Sequence, residues 1–189
     1  GTKIFTPTLG WSSYAKGFIE SPGVIEYVGT DVIPDVCKKT KQLLANFEIK
    51  SDIYCKPSED LFKSKTFLRK YTQHFDVVFF SPPYYRLELY QSDNQSTTRY
   101  KDYQDWLTKY WESTIKLCHH VLEKDGKMCY ILSDYGSKNT SQKFDLVNDM
   151  NDIAKKYFQL TSIQTMQNKN VHSTKHRETG EQIILFTKN

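Results

Sequence analysis

Glycine and proline are both scarce in this chain of 189 residues, with 8 and 6 copies, which excludes collagen-like and low-complexity architectures. The four cysteines, Cys37, Cys55, Cys118 and Cys129, form no Cys-x-x-Cys pair. That removes zinc-ribbon and thioredoxin-type readings and fits free thiols in a reducing compartment. His172 and His176 have helical metal-ligand spacing but lie in a polar stretch without a cysteine partner, so no structural metal is expected. No apolar run approaches the roughly 18 residues a membrane span requires, and the first residues lack a signal-peptide pattern. The expectation is a soluble intracellular protein with no membrane partner; cytoplasm and nucleus are equally compatible with it.

Charge is present without being concentrated. The formal net charge is +4, which favours an anionic partner such as nucleic acid. The basic residues are dispersed, and the densest run, Lys63, Lys65, Arg69 and Lys70, reads as a solvated face. Aromatic residues make up 14% of the chain, 13 of them Tyr, and some of these rings are expected to face a ligand. The length predicts one domain spanning 1–189. The chain opens on Gly1 rather than Met and enters an apolar run within three residues, so it is read as a fragment of a longer polypeptide.

Hydrophobic periodicity predicts an alternation of strands and helices. Lys3 to Thr6 is a short strand, broken at Pro7 to Gly10, and Trp11 to Ile19 follows as a helix. Val24 to Gly29 is a second strand ended by Thr30 and Asp31; Val36, Thr40, Leu43, Leu44 and Phe47 then recur at helical spacing, with Pro34 in the first turn. Asp52 to Cys55 is a third strand, followed by a Pro-Ser-Glu-Asp turn and a helix-compatible stretch, Leu61 to Tyr71. Phe75 to Phe80 (FDVVFF) is an almost continuous apolar run of the kind buried on both faces of a parallel sheet. Tyr103, Trp106, Leu107, Tyr110, Thr114, Leu117, Cys118 and Val121 mark one face of a long helix closed by Lys124, Asp125 and Gly126. A strand at Lys127 to Leu132, a helix through Phe144 to Tyr157 and strands at Leu160 to Met166 and Gln182 to Thr187 complete the chain. The fold class is α/β, with a mostly parallel sheet and one antiparallel strand near the C-terminus. Ligands in such sheets bind beyond the carboxyl ends of the strands, where strand order reverses, so the turns after strands one, two and four are the places for chemistry.

The turn after the fourth strand reads Ser81-Pro82-Pro83-Tyr84-Tyr85. A proline pair is also compatible with a polyproline turn that docks in an aromatic groove, but its place at the end of a buried strand favours a site. In that position it resembles motif IV of the S-adenosylmethionine-dependent amino-methyltransferases that modify adenine N6 or cytosine N4 in DNA. The resemblance implies a Rossmann-like methyltransferase fold. An exocyclic amine shares its lone pair with the base ring and is a poor nucleophile until acceptors hold its N–H groups. The family motif implies two such acceptors, here the Ser81 hydroxyl and the Pro82 carbonyl, with Pro83 restricting the turn and Tyr84 stacking on a base flipped from its helix.

The resemblance further implies S-adenosylmethionine as cofactor, held by Thr6, Gly10, Trp11, Ser12, Asp31, Val32, Ser58 and Ser81. Asp31 would accept ribose hydroxyls, although an Asp after a strand is also a common turn or cap residue. Ser58 is the expected polar contact to the adenine. The family's acidic residue and glycine-rich turn are reduced here to Thr6-Pro7-Thr8-Leu9-Gly10-Trp11-Ser12-Ser13, where the amides of Trp11 and Ser12 are expected to meet the methionine carboxylate. The polar stretch Arg86 to Tyr100 is expected to border the base pocket, with Tyr85, Arg86, Glu88 and Gln95 as contacts, and Lys175, His176 and Arg177 on the last loop to hold phosphates. Nucleic acid is the expected partner, DNA over RNA, and a further domain or subunit is expected to supply target choice. Ser at the first motif position leans to cytosine N4 over adenine N6. An RNA adenine-N6 enzyme and a catalytically inactive module that keeps the fold remain the alternatives.

Overall fold

The computed structural model describes residues 1–86, 92–133, 144–167 and 178–189. Its strands are β1 (Thr2–Thr6), β2 (Val24–Asp31), β3 (Lys50–Cys55), β4 (Phe75–Phe80), β5 (Leu122–Ser133), β6 (Gln159–Gln167) and β7 (Glu178–Thr187). They form one 7-stranded sheet in the order β3-β2-β1-β4-β5-β7-β6. β1 to β5 pair in parallel, while β7 runs antiparallel to both of its neighbours. β7 is thus the one reversed strand of this sheet, as the two consecutive strands at the end of the sequence predict. The chain moves outward from β1 through β2 to β3, then returns to place β4 on the other flank of β1. Strand order therefore reverses between β1 and β4, which opens a crevice at their carboxyl ends.

Alternation along the strands divides the core into two layers. Ile4 and Tyr27 face one side, with Ala15 of α1 (Ser13–Ile19) and Val36, Cys37 and Leu44 of α2 (Pro34–Leu44). Phe5 and Val28 face the other, with Leu61 of α3 (Ser58–Leu61), Phe67 of α4 (Lys65–Lys70) and the later helices. Most of the aromatic load lies in this second layer. Phe5 stacks on Phe75 with ring centroids 5.5 Å apart, and Trp111 meets Tyr130 edge-on at 5.2 Å. Tyr71, Phe80, Trp106, Trp111 and Tyr130 are almost fully buried, so most of the rings belong to packing.

After the short α5 (Ser96–Arg99), the long helix begins as α6 (Tyr103–Asp105), widens to π-helical turns at Trp106–Trp111 and continues as α7 (Glu112–Val121). Its predicted apolar face is the buried one. It ends at Val121, not at Gly126 as its sequence punctuation predicts. The C-terminal segment explains the difference: Asp125 N–H donates to the Lys188 carbonyl at 3.0 Å, and Lys188 N–H donates back to the Gly126 carbonyl at 3.0 Å. This pairing draws residues 123–126 into β5 as a bulge, with Asp125 in the left-handed region at φ 64°. The last helix, α8 (Leu146–Ala154), packs against α7 and β5 and is capped by Asp145. No described helix is long and apolar enough to cross a membrane.

Candidate functional site

A cavity of about 350 Å³ occupies the crevice, in the lower part of the range of roughly 300–1,000 Å³ common for small-molecule sites. Four turns wall it: Pro7 to Trp11 after β1, Asp31 to Ile33 after β2, Lys56 to Glu59 after β3 and Ser81 to Tyr84 after β4. Ser13, Tyr14, Val36, residues 94–97, Tyr110 and Glu181 also line it.

The turn after β1 is compressed. Gly10, Trp11 and Ser12 all lie in the left-handed region, at φ 53°, 57° and 69°. A Cβ on Gly10 would fall 2.3 Å from the Tyr14 ring, so glycine is required there both for conformation and for space. Gly10 and Trp11 are on the cavity wall, and Trp11 is 67% exposed. Thr6 and Ser12 are not on that wall. Thr6 is fully buried and its Oγ1 donates to the Tyr27 hydroxyl at 2.6 Å. The Ser12 amide donates to the Leu9 carbonyl at 3.1 Å and its hydroxyl bonds to Thr40 Oγ1 at 2.7 Å. The short helical turn that stands where the resemblance implies a glycine-rich loop uses one of the two amides expected to meet a carboxylate, that of Ser12.

Asp31 stands where β2 ends, with Val32 beside it on the wall. Its Oδ2 accepts the Leu9 amide at 3.1 Å and its Oδ1 accepts the Ile33 amide at 3.0 Å. Burial pushes its carboxyl up, and the Ile33, Leu9 and Val32 amides oppose that push. The Ile33 contact is the turn role an Asp at this position can play. The contact from Leu9 holds the carboxylate against the β1 turn, and each oxygen keeps acceptor capacity for a further donor.

Ser58 reaches the wall, but its hydroxyl is bonded to Thr114 Oγ1 on α7 at 2.7 Å. The next residue, Glu59, is 1% exposed and has one oxygen, Oε2, without a partner among the described residues. Tyr110, on the same wall, has a buried hydroxyl equally without one. Burial raises both groups, which leaves Tyr110 a neutral phenol. Sequence reasoning missed Glu59, Tyr110 and Glu181. The signal for Glu59 was the one that found Asp31, an acidic residue just beyond a parallel strand; Tyr110 and Glu181 carry no local signal.

At the turn after β4, Ser81 to Tyr84 all line the cavity. Ser81 Oγ donates to the Ile131 carbonyl on β5 at 3.2 Å, while its own carbonyl accepts Thr8 Oγ1 at 2.8 Å. Tyr84 is 9% exposed, and its hydroxyl accepts from Ser133 Oγ at 3.3 Å. Tyr85 and Arg86 do not line the cavity. Tyr85 is 2% exposed, packs edge-on against Phe144 at 4.9 Å and donates its hydroxyl to the Lys101 carbonyl. Arg86 is exposed and donates to the same carbonyl at 2.7 Å. Gln95 is on the wall, with Asn94, Ser96 and Thr97. Glu88, Lys175, His176 and Arg177 lie outside the described residues.

The arrangement can hold an extended ligand from β3 to β4 and present one end of it to the Ser81–Pro82 turn. No curated protein sequence matches the chain significantly. Among solved structures it is similar to the N-methyltransferase NodS of Bradyrhizobium japonicum, at 9% identity and a TM-score of 0.61 over 99% of this chain and 85% of that one. NodS in complex with S-adenosyl-L-homocysteine matches at 10% identity and a TM-score of 0.61, covering 99% and 78%. A TehB-like SAM-dependent methyltransferase of Corynebacterium glutamicum matches at 16% identity and a TM-score of 0.58, covering 100% and 81%. These likenesses establish the fold, a Rossmann-like methyltransferase sheet. The model of the DNA methylase family matches residues 75–189, more than half of the chain, beginning at the first residue of β4. On that match the chain belongs to the N6/N4-type DNA methylase family, and it is a methyltransferase with S-adenosylmethionine as its cofactor.

Proposed function

We propose that the chain methylates the exocyclic amino group of a nucleobase in DNA, with cytosine N4 favoured over adenine N6. The observation that carries this reading is the Ser81 hydroxyl. Its one proton is directed at the Ile131 carbonyl, so the oxygen can offer only lone pairs to a ligand, as an amine's N–H groups require. Pro82 beside it supplies a carbonyl on the same wall. Two acceptors on the N–H groups draw the nitrogen toward a tetrahedral geometry and free its lone pair for attack. The surplus proton leaves the nitrogen after transfer, so Ser81 needs no base partner. Tyr84, held through Ser133, would stack on the base.

The cofactor half fits S-adenosylmethionine by its donor and acceptor set. Asp31 would accept the ribose hydroxyls, and Glu59 Oε2 would accept the amine of the adenine, in place of Ser58. Gly10 lets the backbone approach the methionine end. When bound, the cofactor supplies an electrophilic methyl on a sulfonium; the residues here position the acceptor amine for it. A second reading, an inactive module that keeps the fold, is favoured by the single glycine of the β1 turn and by the Ser12 amide's use within that turn. Mass spectrometry of nucleosides from DNA and RNA incubated with the chain and methyl-labelled cofactor tests both. Labelled N4-methylcytosine from DNA is the expected product; labelled N6-methyladenosine from RNA alone, or no product despite measured cofactor binding, would overturn the proposal.

A further inference from the structure

The segment after the SPPYY turn belongs to the catalytic half of the chain, yet it is anchored to the cofactor half. Ser92 Oγ donates to the Val32 carbonyl at 3.2 Å, one residue beyond Asp31. Arg99, the last residue of α5, donates from Nη1 to Glu59 Oε1 at 2.7 Å and from Nη2 to Asp60 Oδ1 at 2.8 Å. Between these anchors Gln95 and Ser96 line the cavity, and Ser96 is braced from behind by the indole N–H of Trp106 at 2.9 Å.

The Arg99–Glu59 contact differs from an ordinary surface ion pair. The side chain of Glu59 is 1% exposed and that of Arg99 22%, so water and salt screen the pair little. With Oε1 taken by the guanidinium and Oε2 buried without a geometric hydrogen bond among the described residues, on a residue of the cavity wall, the fork of Arg99, with the Tyr100 hydroxyl also close to the carboxylate, turns the second oxygen. Burial pushes the Glu59 carboxyl up, and the Arg99 charge is the leading side-chain influence that opposes it. Loss of that charge shifts a carboxylate so enclosed further toward its protonated form, against the backbone amide that also opposes burial. A protonated Glu59 would offer an O–H donor, which suits a carbonyl and opposes an amine.

We propose that Arg99 is the positioning residue that makes the cofactor pocket select a purine bearing an exocyclic amine over one bearing a carbonyl, by holding Glu59 as an ionised acceptor in one orientation. The proposal rests on the reading of Glu59 as the adenine acceptor. It also gives the segment at residues 92–100 a task on the cofactor side of the cavity.

The test compares two cofactor products by calorimetry, S-adenosylhomocysteine and S-inosylhomocysteine, in which a carbonyl replaces the amine. The proteins are the wild type, Arg99→Met, Arg99→Lys and Glu59→Gln. The wild type is expected to bind the amine form at least about tenfold tighter, the scale of one hydrogen bond to a charged group. Arg99→Met should remove most of that ratio, Arg99→Lys should keep part of it, and Glu59→Gln, whose amide can donate to a carbonyl, should abolish or invert it. If Arg99→Met does not fold, a loss of at least half the ratio in Arg99→Lys supports the proposal and an unchanged ratio overturns it. Equal weakening of both ligands in Arg99→Met would make Arg99 a structural tie only. Equal affinities in the wild type would overturn the role of Glu59 while leaving the cofactor in place, and no binding of either would overturn the cofactor assignment itself.

Discussion

Thr8 Oγ1 donates to the Ser81 carbonyl at 2.8 Å, a bond that joins the turn after β1 to the turn after β4 across the reversal of strand order. In the proposed function one turn faces the methionine end of the cofactor and the other the target amine, so their separation would set how closely the two reactants meet. Displacement of about 1 Å at such a point costs on the order of 100-fold in rate. Thr8→Val, which keeps shape and removes the donor, is expected to lower kcat by roughly 10- to 100-fold while changing the Kd of S-adenosylhomocysteine less than about threefold. Single-turnover kinetics beside calorimetry check it; a fall in affinity without a fall in kcat would place Thr8 in cofactor binding instead.

Ser81→Ala removes the acceptor itself. Loss of one preorganised polar contact in an active site costs about 10²–10³ in kcat, and that is the expected loss here, with cofactor affinity unchanged. Tyr84 separates stacking from hydrogen bonding: Tyr84→Phe loses the hydroxyl and with it the contact with Ser133 and should stay within about threefold of wild-type rate, whereas Tyr84→Ala loses the ring and about 1–3 kcal/mol of base stacking. Equal losses in the two variants would show that the hydroxyl, not the ring, is the functional part.

Asp31 is predicted to act on the other substrate. Asp31→Asn is expected to weaken S-adenosylhomocysteine by about 1.5–3 kcal/mol, the value of hydrogen bonds to a charged acceptor, and to leave the rate at saturating cofactor within severalfold of wild type. An unchanged dissociation constant would reduce Asp31 to its bonds with Leu9 and Ile33.

These residues differ in how plainly the sequence announced them. Phe75–Phe80 is delimited correctly from sequence because an apolar run stopped by Ser-Pro-Pro has one reading as a parallel strand. Asp31 and Ser81 reach the cavity wall because they stand where β2 and β4 end. Ser58 reaches the wall as its place after β3 predicts, but its hydroxyl also bonds Thr114, 56 positions away, and a bond of that range leaves no local trace. Tyr110 reads as part of a buried helical face, which it is; that the residue also reaches the cavity wall is decided by how α7 and the π-helical turns before it cross the sheet. Thr6 was expected on the wall because it ends β1, but its strand phase turns it toward Tyr27. Position along the chain thus locates the mouth of the site, and tertiary packing decides which neighbour faces it.

At the opposite end of the strands, Glu26 is 3% exposed on β2, with His74 Nε2 at 2.9 Å and Lys50 Nζ at 3.0 Å. Burial alone would raise its carboxyl, but the hydrogen bonds from His74 and Lys50 and their charges bring it below the usual value near 4.5. A carboxyl lowered in the folded state adds stability that is present above the unfolded value and lost as pH falls through the folded one. Glu26→Gln is therefore expected to be less stable near pH 7, by about 2–4 °C in Tm for each kcal/mol lost, and the two proteins should converge as pH drops below about 4.5. A gap that persists undiminished at pH 3 would show that packing, not the charge of Glu26, is responsible.

The last prediction concerns how a nucleic acid is held. The net charge of +4 is spread over the chain, and the cavity wall offers the target Ser81, Pro82, Tyr84 and the short stretch at residues 94–97. Among the described residues that is enough surface for a single flipped base and little more. Contacts to phosphates give affinity and orientation without sequence information, and each one released by salt lowers the binding constant along a linear log–log slope. Binding of duplex DNA by this chain alone should accordingly weaken at least about tenfold between 50 and 200 mM salt, as about two or more phosphate contacts would require. It should also differ less than about fivefold among unrelated sequences, each correctly read base pair being worth about 1–3 kcal/mol. Fluorescence anisotropy over a panel of duplexes, joined to a survey of methylated sites, measures both. A strict target of four or more base pairs would mean that the chain already carries a recognition surface; its absence would assign target choice to another domain or subunit.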